Sequence, residues 1–343
     1  MHSKNNLQEK YKINKISEVA KDQLSDFYKK TYYKRYKSLT NNWRWWYRVG
    51  HTKFEPIIVS VENKVIGQAA FLPTELEIFG NKIQAIWFVD YAILPEFKGK
   101  GLGKIMYKEW RKICPNQMAI CSDDSLRVLT KFGWKSNFET KRLARPINVL
   151  NYLPISKNFN LKFINQSLRH IIKKKFERKT SINPHQISDN FKTINDSFKL
   201  KKKILNSNFG SILRDEKWLQ WRLMECPHKK DLYFFEYKNN FAIVHIFFNY
   251  VKRLNILYTY STEESQQNEL RIYIMNWAIK NNIDLVWEIN RSNENKNIFP
   301  KIFNKPLKFA AWSLDDNISK VLQNGLLDLQ GIDTDTDSCL YID

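Results

Sequence analysis

Residues 89–104 read Val89-Asp-Tyr-Ala-Ile-Leu-Pro95-Glu-Phe-Lys98-Gly99-Lys100-Gly101-Leu102-Gly103-Lys104, a strand, a basic glycine loop and a helix start in one uninterrupted run. The stretch Ala85 to Leu94 is apolar apart from Asp90, the pattern of a strand covered on both faces, and Pro95 closes it. Gly99, Gly101 and Gly103 allow the backbone to turn so tightly that successive N–H groups converge on one point. The helix beginning near Leu102 aims its positive end at the same point, and Lys98, Lys100 and Lys104 add charge. This is a phosphate cradle. No Gly-Lys-Ser/Thr ends a Walker loop here, and the glycines alternate, which breaks the Rossmann spacing.

The run Lys98-x-x-Gly101-x-Gly103 resembles the acetyl-CoA loop of the GCN5-related N-acetyltransferases (GNAT), Gln/Arg-x-x-Gly-x-Gly/Ala, with Lys in place of the usual Gln or Arg. Downstream, Leu129-Thr-Lys-Phe-Gly133-Trp134 is similar to the family's second motif, in which a Tyr four residues before the Gly often serves as general acid. Leu129 stands there, so the tyrosine acid does not carry over. The resemblance covers roughly residues 10–147. It implies acetyl-CoA as acyl donor, bound by Ala92, Ile93, Lys98, Gly99, Lys100, Gly101, Leu102, Gly103 and Lys104.

At 343 residues the chain is long enough for two domains, and its 22 Phe, 16 Tyr and 11 Trp supply packed cores. No apolar run reaches the ~18 residues of a membrane span, and Met1 to Lys15 lacks an apolar signal core. The four cysteines, Cys114, Cys121, Cys226 and Cys339, are far apart, as suits reduced thiols in a cytoplasm.

The net charge of +21 points to an anionic partner, although a general bias toward Lys, Asn and Ile accounts for part of it. The densest cluster, Arg169 to Lys179, repeats Leu168, Ile171, Ile172 and Phe176 at helical spacing and reads as an amphipathic basic helix. Two readings of it stand side by side, a connector docked by one face and a contact with anionic lipid. No groove-reading motif accompanies the charge, which argues against specific nucleic-acid recognition.

A pseudo-repeat divides the chain. Trp43-x-x-Trp46, Pro56, a strand Ile57–Val61, an Asn63-Lys64 turn and a strand Val65–Leu72 are matched by Trp218-x-x-Trp221, Pro227, Leu232–Tyr237, an Asn239-Asn240 turn and Phe241–Phe248. Helical, strand and helical patterns at Gln267–Ile279, Leu285–Ile289 and Glu294–Phe303 then mirror Leu102–Ile113, Met118–Cys121 and Ser125–Phe132. The expected architecture is α/β, two tandem GNAT-like domains, each a mixed, mostly antiparallel sheet flanked by helices. The expected boundaries are 1–150 for the CoA-binding domain, 151–208 for the basic connector and 209–343 for the degenerate copy. Where the second copy should hold phosphates it has Tyr260-Ser-Thr-Glu-Glu-Ser265, with no glycine and two acids, so one CoA per chain is expected and the second copy walls the acceptor cleft. The arrangement is similar to bacterial two-domain acetyltransferases of cell-surface polysaccharide and amino-sugar modification, in which a Trp-Leu-x-Trp-Arg segment, here Trp218–Arg222, opens the second half and an Asp-rich terminus, here Asp333 to Asp337, ends it.

Acetyl transfer to an amine needs a route for the amine's proton and donors for the tetrahedral oxyanion, usually a backbone N–H of the strand that aligns the thioester. Asp90 is the carboxyl within that strand, either a base or a structural carboxylate, and Glu75 and Glu77 on the neighbouring strand are the alternatives. Trp45, off the face shared by Trp43 and Trp46, is the candidate to stack on an acceptor sugar. His51, His228 and His245 lack partners at metal-ligand spacing, so no metal site is expected, and Cys121 reads as a buried small residue. Direct transfer to an amino-sugar nucleotide or polysaccharide precursor is the leading expectation. Acetylation of protein lysines, peptides or a small amine is the first rival, and a non-catalytic CoA-binding module the second.

Overall fold

The computed structural model describes residues 11–148, 159–178, 181–204, 210–249, 251–261, 263–290, 305–325 and 327–334. The first half runs β1 (Lys12–Lys15), α1 (Lys21–Thr31), α2 (Tyr36–Trp46), β2 (Ile57–Val61), β3 (Lys64–Ile78), β4 (Asn81–Ile93), α3 (Leu102–Arg111), β5 (Asn116–Cys121), α4 (Asp123–Lys131) and β6 (Lys135–Pro146). Then come α5 (Phe159–Phe176), β7 (His185–Gln186) and α6 (Ile187–Ile204). The second half contains β8 (Ser211–Ile212), α7 (Glu216–Leu219) continued by a π turn at Gln220–Met224, β9 (Leu232–Tyr237), β10 (Asn240–Asn249), β11 (Val251–Tyr260), α8 (Glu264–Lys280), β12 (Leu285–Asn290), β13 (Lys305–Ser313) and α9 (Asp316–Gln323). The helix expected over Glu294–Phe303, Cys339 and the acidic residues Asp335 and Asp337 lie outside the described residues.

Two α/β halves are present, and they share one sheet. The strand order is β1-β2-β3-β4-β5-β13-β6-β12-β11-β10-β9-β7, with β8 paired to the side of β3. β13, the last described strand, lies between β5 and β6, and β6 in turn lies between β13 and β12. The halves therefore exchange strands, and neither of the stretches 1–150 and 209–343 closes its own sheet. Packing follows the exchange: Phe309, Ala310, Ala311 and Trp312 of β13 complete the first half's core, while Leu143 and Ile147 join a core of the second. Burying Phe309 alone contributes about 2 kcal/mol, which stabilises the exchanged arrangement.

Local chemistry explains most elements. Trp43 and Trp46, three apart on α2, are both buried. The turn between β2 and β3 uses Glu62 and Asn63 at positive φ, one residue earlier than the expected Asn63-Lys64, and the matching turn between β9 and β10 uses Lys238. The described side chains of the basic helix α5 bury Phe176 and half-bury Ile172 against the second half, and Arg169 donates to the Ile279 carbonyl at 3.1 Å. Leu168 and Ile171 remain exposed beside Lys173, Lys174 and Lys175. Among the described residues no helix is long and apolar enough to cross a membrane.

Candidate active site

β4 and β5 pair in parallel only at Ile86–Gln117 and Trp87–Met118. Phe71 faces Phe88 and Ala69 faces Tyr91, so two steps along β3 span three along β4. Such a bulge bends its strand and leaves one residue outside the ladder. Past it β4 and β5 diverge, and a cavity of about 590 Å³ fills the wedge. Its walls come from β4 (Phe88, Val89, Tyr91, Ala92, Ile93), β5 (Ala119, Ile120, Cys121) and the glycine loop (Lys98, Gly103), with Leu129 and Phe132 on the α4 side. Two stacked aromatic pairs stiffen it, Phe88 on Trp110 at 3.9 Å and Tyr107 on Phe132 at 3.8 Å, and the Tyr107 hydroxyl donates to the Phe132 carbonyl at 2.8 Å.

The loop reaches this cavity as its sequence requires. Gly99 and Gly101 both take φ of +78°, a left-handed conformation that side chains resist, and Gly101 is the N-cap of α3. Leu102 is buried and anchors the first turn, so the unsatisfied N–H groups of α3 are held in place at the loop. At Gly103 a Cβ would lie 2.8 Å from the Tyr91 hydroxyl, which leaves bare backbone facing the cavity. Lys98 lines the cavity, Lys100 lies over the Phe97 ring at 5.1 Å, and Lys104 is exposed. Sequence reasoning missed Tyr91, Tyr107 and Trp110. A tyrosine in a strand apolar but for its neighbour Asp90 was the available signal for the first, and partial burial of the phenol at the cavity pushes it up to about 12.

The corresponding wedge of the second half is filled. Arg271 of α8 donates to Glu288 of β12 at 2.9 and 2.6 Å and to the Thr259 hydroxyl of β11 at 3.2 Å. Gln330 accepts from the Thr259 N–H at 2.7 Å and donates back to its carbonyl at 3.1 Å. Just before α8 the Ser261 hydroxyl donates to Asn240 of β10 at 2.6 Å and accepts from the Glu263 N–H at 3.2 Å.

Asp90 does not line the cavity. It is buried on the α1–α2 side, where its carboxylate is ion-paired with Arg35 and accepts from the Tyr47 hydroxyl at 2.9 Å. Tyr47 in turn accepts from Gln68 at 3.0 Å, and Gln68 accepts from Tyr28 at 3.0 Å. A carboxylate bonded in this way suits a structural anchor on the side of the sheet opposite the wedge. Glu75 is half-buried on β3 outside the cavity, with its main-chain carbonyl accepting from the Leu213 N–H at 2.8 Å, and Glu77 is half-buried nearby. Trp45 is not an open stacking platform: its indole N–H donates to the Trp221 carbonyl at 2.9 Å, and its ring lies 6.0 Å from that of Trp221. Leu129, at the place of the expected acid, lines the cavity. Among the described residues no cluster of three or more His, Cys, Asp or Glu is arranged to hold a metal ion. Cys114, Cys121 and Cys226 are buried thiols.

A wedge between two parallel strands, with a glycine-capped helix N-terminus at its mouth, is an arrangement suited to a CoA thioester. Residues 16–134 match the acetyltransferase (GNAT) family. That stretch carries the acetyltransferase (GNAT) signature within the first half of the sheet. Solved structures with the same fold include a GCN5-related N-acetyltransferase from Kribbella flavida, 10% identical, with a TM-score of 0.59 over 90% of this chain and 72% of that one. A probable N-acyltransferase from Enterococcus faecalis is 10% identical, with a TM-score of 0.54 over 92% and 73%. Saccharomyces cerevisiae N-myristoyltransferase with bound myristoyl-CoA is 11% identical, with a TM-score of 0.56 over 88% and 78%. At these identities the likeness is one of fold. No curated protein matches the sequence.

Proposed function

We propose that the protein transfers an acetyl group directly from acetyl-CoA to the amine of an amino-sugar nucleotide or surface-polysaccharide precursor. The observation that supports acyl transfer is the wedge between β4 and β5, open and loop-capped in the first half and filled by Arg271 and Glu288 in the second, and the acceptor follows the resemblance to two-domain acetyltransferases. The pyrophosphate sits on the N-terminus of α3 with Lys98 beside it, and the pantetheine arm enters between the strands. The β4 bulge supplies a main-chain N–H outside the ladder, which polarises the thioester carbonyl and holds the oxyanion. With Asp90 tied to Arg35 and Leu129 in place of a tyrosine, the amine's proton leaves through water, and water returns one to the CoA thiolate.

The test is a screen of amino-sugar nucleotides, lysine peptides and small amines for acetyl-CoA-dependent gain of one acetyl mass, repeated with longer acyl-CoA thioesters. Modification of an amino-sugar nucleotide is the expected result. Modification of peptides alone would replace the acceptor, and neither transfer nor thioester hydrolysis with any amine would leave a CoA-binding module.

A further inference from the structure

Three polar side chains with unpartnered atoms lie together on one patch of the second half, away from the wedge between β4 and β5. β10, β11 and β12 set His245, Asn255 and Trp287 side by side in register, with Ala144 of β6 next in the row. Asn255 is 0% exposed, and neither its Nδ2 nor its Oδ1 has a hydrogen-bond partner among the described residues. The same holds for Trp287 Nε1 and for Nε of Arg253, two residues before Asn255 on the same side of β11. The guanidinium groups of Arg253 and Arg142 lie over the Trp287 indole at 5.2 and 4.9 Å, reaching it from the strands on either side of β12.

Leaving a buried polar group unpaired costs roughly 1–3 kcal/mol, and native proteins rarely allow it. Four such atoms on three neighbouring residues in adjacent strands form one group of donors and an acceptor that a ligand could satisfy together. The donors outnumber the acceptors: an Arg N–H, an indole N–H and an amide NH₂ stand against one amide oxygen, and two guanidinium charges flank them. His245 reports the same positive surroundings, since burial and the nearby His228 and Arg222 hold its imidazole down to about 3. The matching ligand is an anion with several acceptor oxygens. Arg142, Arg253 and Trp287 are each half-buried, which gives the patch an accessible rim above the buried Asn255.

We propose that Arg253, Asn255 and Trp287, flanked by Arg142, form an anion subsite that anchors the acidic end, phosphate or carboxylate, of the acceptor. As an acceptor subsite it rests on the acyl-transfer reading above, whereas anion binding itself does not. β12 is three strands from β5 in the sheet, which is about 14 Å at ordinary strand spacing. An acceptor held here by its anion must extend about that far to bring its amine to the wedge.

The experiment uses the full chain saturated with acetyl-CoA, so that the glycine loop is filled, and titrates inorganic phosphate and, separately, succinate by calorimetry. One anion should bind, phosphate preferred for a phosphorylated acceptor and succinate for a carboxylate. Arg253→Gln should weaken it by about tenfold or more while acetyl-CoA affinity stays as in the parent. Asn255→Leu should also weaken anion binding and should raise Tm, because an apolar side chain of similar volume replaces an unpartnered amide. No anion binding in the saturated parent, or binding unchanged in both variants, or a lowered Tm for Asn255→Leu with anion binding retained, would overturn the subsite. Anion binding in a protein that transfers no acetyl group would support the subsite and count against the acyl-transfer reading alone.

Discussion

Trp45 and Trp221 are bonded to each other twice. The indole N–H of Trp45 donates to the backbone carbonyl of Trp221 at 2.9 Å, and the indole N–H of Trp221 donates to the backbone carbonyl of Trp45 at 2.7 Å. The two residues are 176 positions apart and stand near the ends of matching helical segments of the two halves, so the pseudo-repeat meets itself at this point. Arg48 lies over the Trp221 ring at 4.8 Å and donates to the Pro73 carbonyl at 3.0 Å, which ties the junction to β3.

Trp45→Phe and Trp221→Phe should each remove one indole donor and destabilise the protein by about 1–2 kcal/mol. Urea unfolding of both single variants and the double variant should give a coupling energy different from zero, because the rings also touch. Strictly additive losses would mean that the two bonds act independently.

The glycine loop makes a sharp forecast. Gly101→Asp puts a side chain on a residue at φ +78° and a negative charge at the mouth of α3, so acetyl-CoA affinity should fall by well over about tenfold. Lys98→Ala should cost less, because backbone donors do most of the holding. Calorimetry on folded protein decides, and an unchanged affinity in Gly101→Asp would place the phosphates elsewhere.

Asp90→Asn should act on stability rather than on chemistry. Removing the charge that Arg35 neutralises breaks a buried pair, at a cost of about 3 kcal/mol, while kcat per folded molecule should hold. Combining it with Arg35→Met should recover much of the loss. A large fall in kcat with unaltered stability would restore Asp90 as the base.

His245 sets a pH dependence. Its folded-state pKa, about 3, lies below the ~6.5 of an unfolded imidazole, because burial disfavours the charged form. A depressed pKa contributes stability that is complete above about pH 6.5 and is lost as the pH falls toward 3, at ~1.4 kcal/mol per unit. Between pH 7 and pH 5 this group should therefore cost about 2 kcal/mol, with His228, also lowered by burial, adding in the same direction. Unfolding midpoints measured across that range should flatten in His245→Phe.

The strand exchange predicts the fate of fragments. Residues 1–150 alone lack β13 and β12, the two neighbours of β6, and should show no cooperative unfolding, whereas co-expression with 151–343 should restore a complex binding one acetyl-CoA. Two CoA per intact chain, or full activity of the isolated fragment, would contradict the division of labour between the halves.

What the sequence by itself determined is the short-range part. The β4–loop–α3 run was readable because glycine conformations, helix ends and apolar alternation act within a few residues. The strands and helix over residues 232–290 were readable for the same reason. What only the tertiary structure decided are relationships between residues far apart in the chain. Asp90 read as either a base or a structural carboxylate until its bonds to Arg35 and Tyr47 were in view, and Trp45 read as a stacking candidate until Trp221 was found to take its indole N–H. The pattern of β13 marks it as a strand but cannot say that it pairs with β5 and β6, since alternation defines which face is buried and not which neighbour supplies the hydrogen bonds. The patch of Arg253, Asn255 and Trp287 is of the same kind: each residue is ordinary in sequence, and only register across adjacent strands brings their unpartnered groups together.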